Sequence, residues 1–368
     1  MTVTAIAIEH YRSLRSLRLD LVRITTVVGA NGVGKSNLYR ALGLLQAAAL
    51  GRLSDAFAEE GGMPSALYAG AKRRDEIREV RLVVGAEIDG FSYRLACGLP
   101  IAPGPSAFKL DPLVKEEDLG VRLAGRKTPV PIIERRNHVV SVRTEEGSRE
   151  TLTDPLDLSE SVLSQLSDPR HHPELAFIRL TLVGWRFYHQ FRTDAAAPAR
   201  QPRLGVRSPV LAHDGANLAL VLQTIREIEH TRGHLDAAID AAFPGCVLEI
   251  PVDQRGLMWL EWRMPGILRT LHARELSDGT LRFLCLAAAL LTPRPPGLMV
   301  LNEPEASLHP SLIPALAGLI IAAGERCQVL VTTHDQDLAT RLADHTGQPP
   351  VRLTLFAGQT RADGKPTI

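Results

Sequence analysis

The chain has 368 residues, 45% of them apolar and 23% charged, with a formal net charge of +1. This composition provides a core for one large domain with an insertion and excludes wholesale disorder. It carries no global field advertising a nucleic-acid or membrane partner, and an aromatic content of 5% argues against a base-stacking platform.

Cys97, Cys246, Cys285 and Cys327 stand far apart with no CxxC pair, and read as reduced thiols. The N-terminus alternates like a strand, and no run approaches the roughly 20 apolar residues that span a bilayer. A cytoplasmic protein without membrane contact is therefore expected.

In chain order, Thr4 to Ile8 and Leu17 to Leu21 alternate, Ile24 to Val28 is a short apolar run, and Lys35 to Leu50 has helical periodicity. Val80 to Ile88 and Phe91 to Leu95 flank Asp89-Gly90, a two-residue hairpin signal. Further β-like pieces run through Pro131 to Val142. Helical patterns follow at Ser159 to Leu166, Pro173 to Leu182 and Gly215 to Arg232, then strands at Val247 to Pro251 and Leu257 to Trp262. The final hundred or so residues alternate: helix from Thr280, strand Leu298 to Leu301, helix from Pro310, strand Gln328 to Thr332, helix from Gln336, strand from Val351. Such alternation implies a parallel sheet with crossover helices. The expected segments are 1–150, with the nucleotide loop and antiparallel strands, 151–270, mainly helical, and 271–368, with the remaining motifs.

Four motifs carry chemistry. The loop Gly29-Ala-Asn31-Gly32-Val33-Gly34-Lys35-Ser36 satisfies GxxxxGK[ST] between a predicted strand and a predicted helix. Its backbone N–H groups and the helix N-terminus suit phosphates, Lys35 suits the β- and γ-phosphates, and Ser36 suits Mg2+. The apolar run from Leu298 ends in Asn302-Glu303, an acidic strand end fit for a general base. Leu276-Ser277-Asp278-Gly279-Thr280 heads a helix, with Ser277 resembling an N-cap; by itself this is only a helix start. Val329 to Thr333 is a strand ending in His334.

In this order and spacing the four motifs resemble ABC-type ATPases: Walker A, an LSGGQ-like signature, Walker B and a switch histidine. Glu303-Pro-Glu305-Ala-Ser-Leu-His309-Pro310 is similar to the SMC, RecF and OLD-like branch, whose pattern is DEPEAHLHP, and unlike the transporter form DEPTSALD. Ile8 to Leu14, with Arg12 and Ser13, and the residues Asn31 and Asn37 look like the same branch. The chain is similar to bacterial "AAA family" ATPases with an interrupted ABC core.

The resemblance implies an α/β fold: a P-loop NTPase, an ABC-ATPase-like head with a mixed sheet, an N-terminal antiparallel β part and an inserted helical lobe. It implies ATP and Mg2+ as ligands and ATP hydrolysis. Glu303, His334 and Lys35 would be catalytic. Asn31, Gly32, Val33, Gly34, Lys35, Ser36, Asn37 and Arg12, with Ser277 and Gly279 of a second subunit, would hold the nucleotide. Ser36, Asn302 and the Q-loop glutamine would serve Mg2+; Gln165 is the candidate and Gln190 the alternative. Asn302 departs from the family's Asp, which predicts weaker Mg2+ binding and slow hydrolysis. Tyr11 and Arg12 fit either the adenine and ribose or an ordinary strand edge.

The implied partners are a second copy in an ATP-dependent head-to-tail dimer, DNA, and a separate nuclease or effector, because OLD-like nucleases carry a Toprim domain for which the chain shows no room. Lys72-Arg73-Arg74-Asp75-Glu76 and Glu134-Arg135-Arg136 read as solvated faces or phosphate contacts. His171-His172 beside Asp168 lacks further ligands at metal spacing. A nucleotide sensor with very slow turnover is the competing reading; a transporter subunit is disfavoured by Ser307 to Pro310.

Overall fold

The computed structural model describes residues 2–71, 81–100, 107–126, 128–144, 147–153, 155–166 and 168–363; Lys72 to Glu76 and Val80 lie outside them. The first elements are strands β1 (Val3–Tyr11), β2 (Leu14–Asp20) and β3 (Ile24–Val28), then helices α1 (Lys35–Leu50), α2 (Leu53–Glu59) and α3 (Met63–Ala66). Strands β4 (Leu82–Ile88), β5 (Phe91–Gly98), β6 (Leu113–Val121), β7 (Val130–Arg136), β8 (Val139–Arg143) and β9 (Arg149–Thr151) follow. Next come α4 (Val162–Gln165), α5 (Pro173–Gly184), β10 (Arg186–Tyr188), β11 (Arg203–Leu204), α6 (Leu218–Arg226) and α7 (Glu229–Ala242). Short strands β12 (Val247–Glu249), β13 (Leu257–Met258), β14 (Glu261–Arg263) and β15 (Leu271–His272) precede α8 (Asp278–Leu290). The chain closes with β16 (Leu298–Asn302), α9 (Ile313–Gly324), β17 (Gln328–Thr333), α10 (Gln336–Thr346), β18 (Val351–Phe356) and β19 (Gln359–Ala362).

Two compact units form. One comprises residues 1–22, 29–185 and 351–368, the other residues 23–28 and 186–350. Residues 151–270 are thus shared between the two units rather than grouped as one body.

The first unit is built on an eight-stranded antiparallel sheet in the order β2-β1-β4-β5-β6-β7-β8-β9. Asp89-Gly90 makes the expected hairpin, both residues at positive φ, with Ile88 opposite Phe91. The β-like stretch from Pro131 is a second hairpin: Asn137 takes φ 51° and lets Arg136 pair with Val139. Helix α1 packs on β1, β4, α4 and α5, burying Leu38, Leu42 and Leu45. Strands β18 and β19 form a hairpin, and β19 lies against β2.

The second unit holds four parallel strands in the order β10-β16-β17-β3. Strands β16, β17 and β3 are buried at every position, as strands of a parallel sheet covered on both faces should be. Helix α8 is buried from Leu281 to Leu290, and Phe283 and Trp262 both meet Phe243 edge-on with ring centroids 5.4 Å apart. The single helix expected at Gly215 to Arg232 is two, because Ile228 is extended (φ −101°, ψ 111°) and starts α7 afresh.

Candidate functional site

The first unit carries the glycine-rich loop, which begins at Gly29 and leads into α1. Gly32 and Gly34 take φ 82° and 103°, a region closed to most side chains. Space is equally restrictive. A Cβ on Gly34 would lie 2.4 Å from Thr360 Oγ1, and one on Gly29 would lie 2.8 Å from the Leu353 carbonyl. Lys35 Nζ donates to the carbonyls of Gly29 at 2.7 Å and Ala30 at 3.0 Å, so its ammonium lies across the loop. Asn31, Gly32 and Ser36 are exposed, and Val33 is buried.

Beneath the loop is a polar clamp. Thr360 Oγ1 donates to the Val33 carbonyl at 2.7 Å and lies 2.7 Å from Ser13 Oγ, while Asn37 Nδ2 donates to Ser13 Oγ at 2.9 Å. The Asn37 amide therefore braces the loop from below. Arg12 pairs with Glu60, which Arg40 also approaches, at a backbone φ of 49°. Burial raises the Tyr11 hydroxyl pKa well above its ordinary value, with Glu60 adding to the effect. Ser13 and Thr360 carried no sequence signal as loop supports; their meeting is a pairing 347 residues apart.

In the second unit, β16 and β17 run side by side and end together, Asn302 opposite Thr332. Asn302 is fully buried; its Oδ1 accepts from Thr332 Oγ1 at 2.7 Å, and its Nδ2 lies 2.8 Å from His189 Nδ1. Both ends of the amide are committed. Glu303 has φ 50°, a strained backbone for a residue with a Cβ, and its amide donates to the Thr332 carbonyl at 2.8 Å. Its carboxylate lies 3.9 Å from His334 Nδ1. Arg282, on buried α8, donates through Nη2 to the carbonyls of His189 and Glu303.

The signature-like segment lies in the same unit. Ser277 caps α8 by accepting from the Thr280 amide at 3.1 Å. A Cβ on Gly279 would come 3.1 Å from the Ser307 carbonyl, so glycine permits close approach of α8 to the turn after Glu303. Arg200 braces the entry to α8, donating to the carbonyls of Ala273 and Leu276 and to Asp278.

The two glutamines differ. Gln165 spends its amide on the 157–160 turn, accepting from the Asp157 amide at 2.8 Å and donating to the carbonyls of Asp157 and Glu160 at 3.0 Å. Gln190 is exposed just beyond β10, whose Tyr188 pairs with Leu301 beside Asn302. The amide of Gln165 is thus committed to its own turn, whereas Gln190 is exposed. The charged cluster at Glu134 also changes meaning. Arg135 is fully buried, donating to the carbonyls of Asn137, Asp157 and Glu160, whereas Arg136 pairs with Asp118 and Glu134 with Arg149. His171 contacts Asp168 at 2.8 Å, and no metal-competent group of three His, Cys, Asp or Glu occurs among the described residues. Among them, too, no helix is long and apolar enough to cross a membrane.

The fold and these motifs define an ATP-binding P-loop protein of the ABC and SMC type. The chain belongs to the family AAA_21, described as "AAA domain, putative AbiEii toxin, Type IV TA system", whose model matches residues 24–95 and 126–339. Over 72 residues it is 39% identical to the phosphate import ATP-binding protein PstB of Mycobacterium intracellulare, a stretch covering 20% of this chain and 25% of that protein. The chain therefore matches about a quarter of that relative's length. In fold it is similar to an Smc head bound to the C-terminal winged-helix domain of ScpA, with a TM-score of 0.53 and 14% identity over 98% of this chain and 97% of that one. It is similar to the same degree (TM-score 0.53, 13% identity, 98% and 95% covered) to an Smc head with an extended coiled coil bound to the C-terminal domain of ScpA, from Pyrococcus furiosus.

Proposed function

We propose that the protein is an ATP-hydrolysing switch that dimerises head-to-tail around two nucleotides and acts on DNA or through a nuclease or effector partner. The observation that carries the reading is the pairing of Glu303 with His334 at the ends of adjacent parallel strands, 3.9 Å apart, with Glu303 held at a strained φ. A carboxylate so placed suits the orienting of an attacking water, and the neighbouring imidazole suits the γ-phosphate. The glycine loop fits phosphate because its close-packed, positive-φ backbone leaves no room for side chains at Gly29 and Gly34.

In this reading Asn31 to Asn37 enclose the phosphates, with Lys35 as their cation and Arg12 at the rim. Ser36, Asn302 and Gln190 would serve Mg2+, which would supply positive charge against the phosphates. Ser277 and Gly279 complete the nucleotide site of a second copy. The family description and the Smc heads with their ScpA domains suit a partnered protein in genome maintenance or defence.

One observation favours a slower protein. Asn302 has already spent both ends of its amide on Thr332 and His189 and offers Mg2+ no charge. A nucleotide sensor would tolerate this. The test is Glu303→Gln with ATP and Mg2+, read by light scattering: the variant should accumulate as an ATP-bound dimer, and Lys35→Ala should remain monomeric without binding ATP. A Glu303→Gln protein that stays monomeric counts against the clamp. Turnover measured with and without duplex and single-stranded DNA tests the nucleic-acid arm; no response to either removes it.

A further inference from the structure

Glu305 lies two residues beyond the proposed general base and has no part in the chemistry described so far. Its side chain is 4% exposed. A carboxylate that deeply buried must be justified by its partners, since burying a charge without compensation costs several kcal/mol.

Its partners converge on one oxygen and on one segment. Oε1 accepts from Thr333 Oγ1 at 2.6 Å and from the His334 backbone N–H at 3.0 Å, and lies 3.1 Å from His334 Nδ1. Oε2 is buried with no hydrogen-bond partner among the described residues. The chain of bonds continues past Thr333, whose Oγ1 accepts from the Asp335 amide at 2.9 Å; Asp335 in turn caps α10 through the Leu338 amide at 2.7 Å. The other end of Glu305 is also tied down, because its carbonyl accepts from the Leu308 amide at 3.0 Å in the turn that carries Ser307 at φ 62°.

We infer that Glu305 is the positioning residue for His334, a role that rests on the ATPase reading above. Its Oε1 fastens the backbone and ring of His334 to the turn that carries Glu303, so that the histidine and the general base move as one piece. Because every contact falls on Oε1, a glutamine with its carbonyl oxygen in that place keeps the fastening and discards only the charge. A buried carboxylate that merely closes a turn would share these contacts but would not couple to His334 in catalysis.

The experiment uses the full chain, with Glu305→Gln, Glu305→Ala, His334→Ala and the Glu305→Ala/His334→Ala double variant. Steady-state ATP turnover is measured with Mg2+, and hydrogen exchange at the His334 amide is followed in each protein. Glu305→Ala should lower kcat about tenfold or more with KM within about threefold, while Glu305→Gln stays within about threefold of wild type. The double variant should be no slower than His334→Ala alone, as expected of residues that act as a unit. Amide protection at His334 should fall in Glu305→Ala and persist in Glu305→Gln. Losses that multiply in the double variant, or Glu305→Gln as slow as Glu305→Ala, overturn the inference. Wild type without turnover overturns the ATPase reading instead, and His334→Ala as fast as wild type overturns the catalytic role of His334. The exchange result then decides the inference by itself: unchanged protection in Glu305→Ala refutes the fastening, and lost protection sustains it.

Discussion

Asn302→Asp is the substitution on which the choice between brisk switch and slow sensor turns. Asn302 is fully buried, accepting from Thr332 Oγ1 at 2.7 Å with its Nδ2 2.8 Å from His189 Nδ1. Aspartate keeps the first contact and turns the second into two facing lone pairs unless His189 takes a proton on Nδ1. Without nucleotide, desolvation of the new carboxylate and loss of a donor leave a net cost of about 2–4 kcal/mol after that proton is counted. In a unit of this size the melting midpoint falls by about 5–15 °C. With ATP and Mg2+ the sign reverses. At an effective dielectric of about 20, opposite unit charges about 4 Å apart gain about 4 kcal/mol, and the cation here is divalent. Even after screening, the Mg2+ concentration for half-maximal turnover should fall about tenfold or more, and kcat should rise. Thermal melts with and without Mg2+ and ATP, beside a Mg2+ titration of turnover, read both halves. An unchanged midpoint without ligand refutes the burial argument. Fast wild-type turnover with an unaltered Mg2+ requirement in the variant refutes the metal placement and the sensor reading together.

Four further outcomes are expected. Gly34→Ala places a methyl 2.4 Å from Thr360 Oγ1 at φ 103°, so the thermal shift produced by ATP should vanish while the ligand-free midpoint moves only a few degrees; normal ATP binding would contradict the cradle. Thr360→Val removes the hydroxyl that ties Val33 to Ser13, and the ATP dissociation constant should rise about tenfold; an unchanged constant by calorimetry refutes the clamp. Glu117 is fully buried, bonded to Tyr93 Oη, Ser161 and the Val162 amide, with Arg135 3.8 Å away. Burial raises its carboxyl above the usual range. The folded state therefore holds this proton longer than the unfolded chain does, so the favourable contribution is complete below about pH 4.3 and is lost as pH rises through the folded value. The stability of Glu117→Gln relative to wild type should thus rise with pH above that point, by denaturant melts; a flat difference refutes the shift. Arg135→Met, which leaves the carbonyls of Asn137, Asp157 and Glu160 without their buried donor, should cost about 3–5 kcal/mol in the same melts.

What the sequence determined by itself were the features written in short stretches of chain. The glycine loop between β3 and α1 needs residues within eight positions, and helix α1 runs from Lys35 to Leu50, as its periodicity says. The apolar strand ending at Asn302-Glu303, the Ser277 cap and the strand ending at His334 are equally local, because period, cap chemistry and backbone freedom act between near neighbours. The resemblance to SMC-type ATPases rested on these pieces, and the family match and Smc-head fold agree with it.

Tertiary structure alone decided what those residues touch. The periodicity of Gly215 to Arg232 could not reveal the extended Ile228 that divides it into α6 and α7. Gln165 and Gln190 looked alike as residue types; only the parallel pairing of β10 with β16 sets the latter just beyond a strand that runs beside β16, while a local turn absorbs the former. Arg135, in a run that reads as surface charge, is buried because three carbonyls converge on it. Thr360 beneath the glycine loop and Glu305 against His334 follow the same rule. Hydrogen-bond partners hundreds or tens of residues away leave no period or spacing in the chain, so their geometry exists only once the strands have paired.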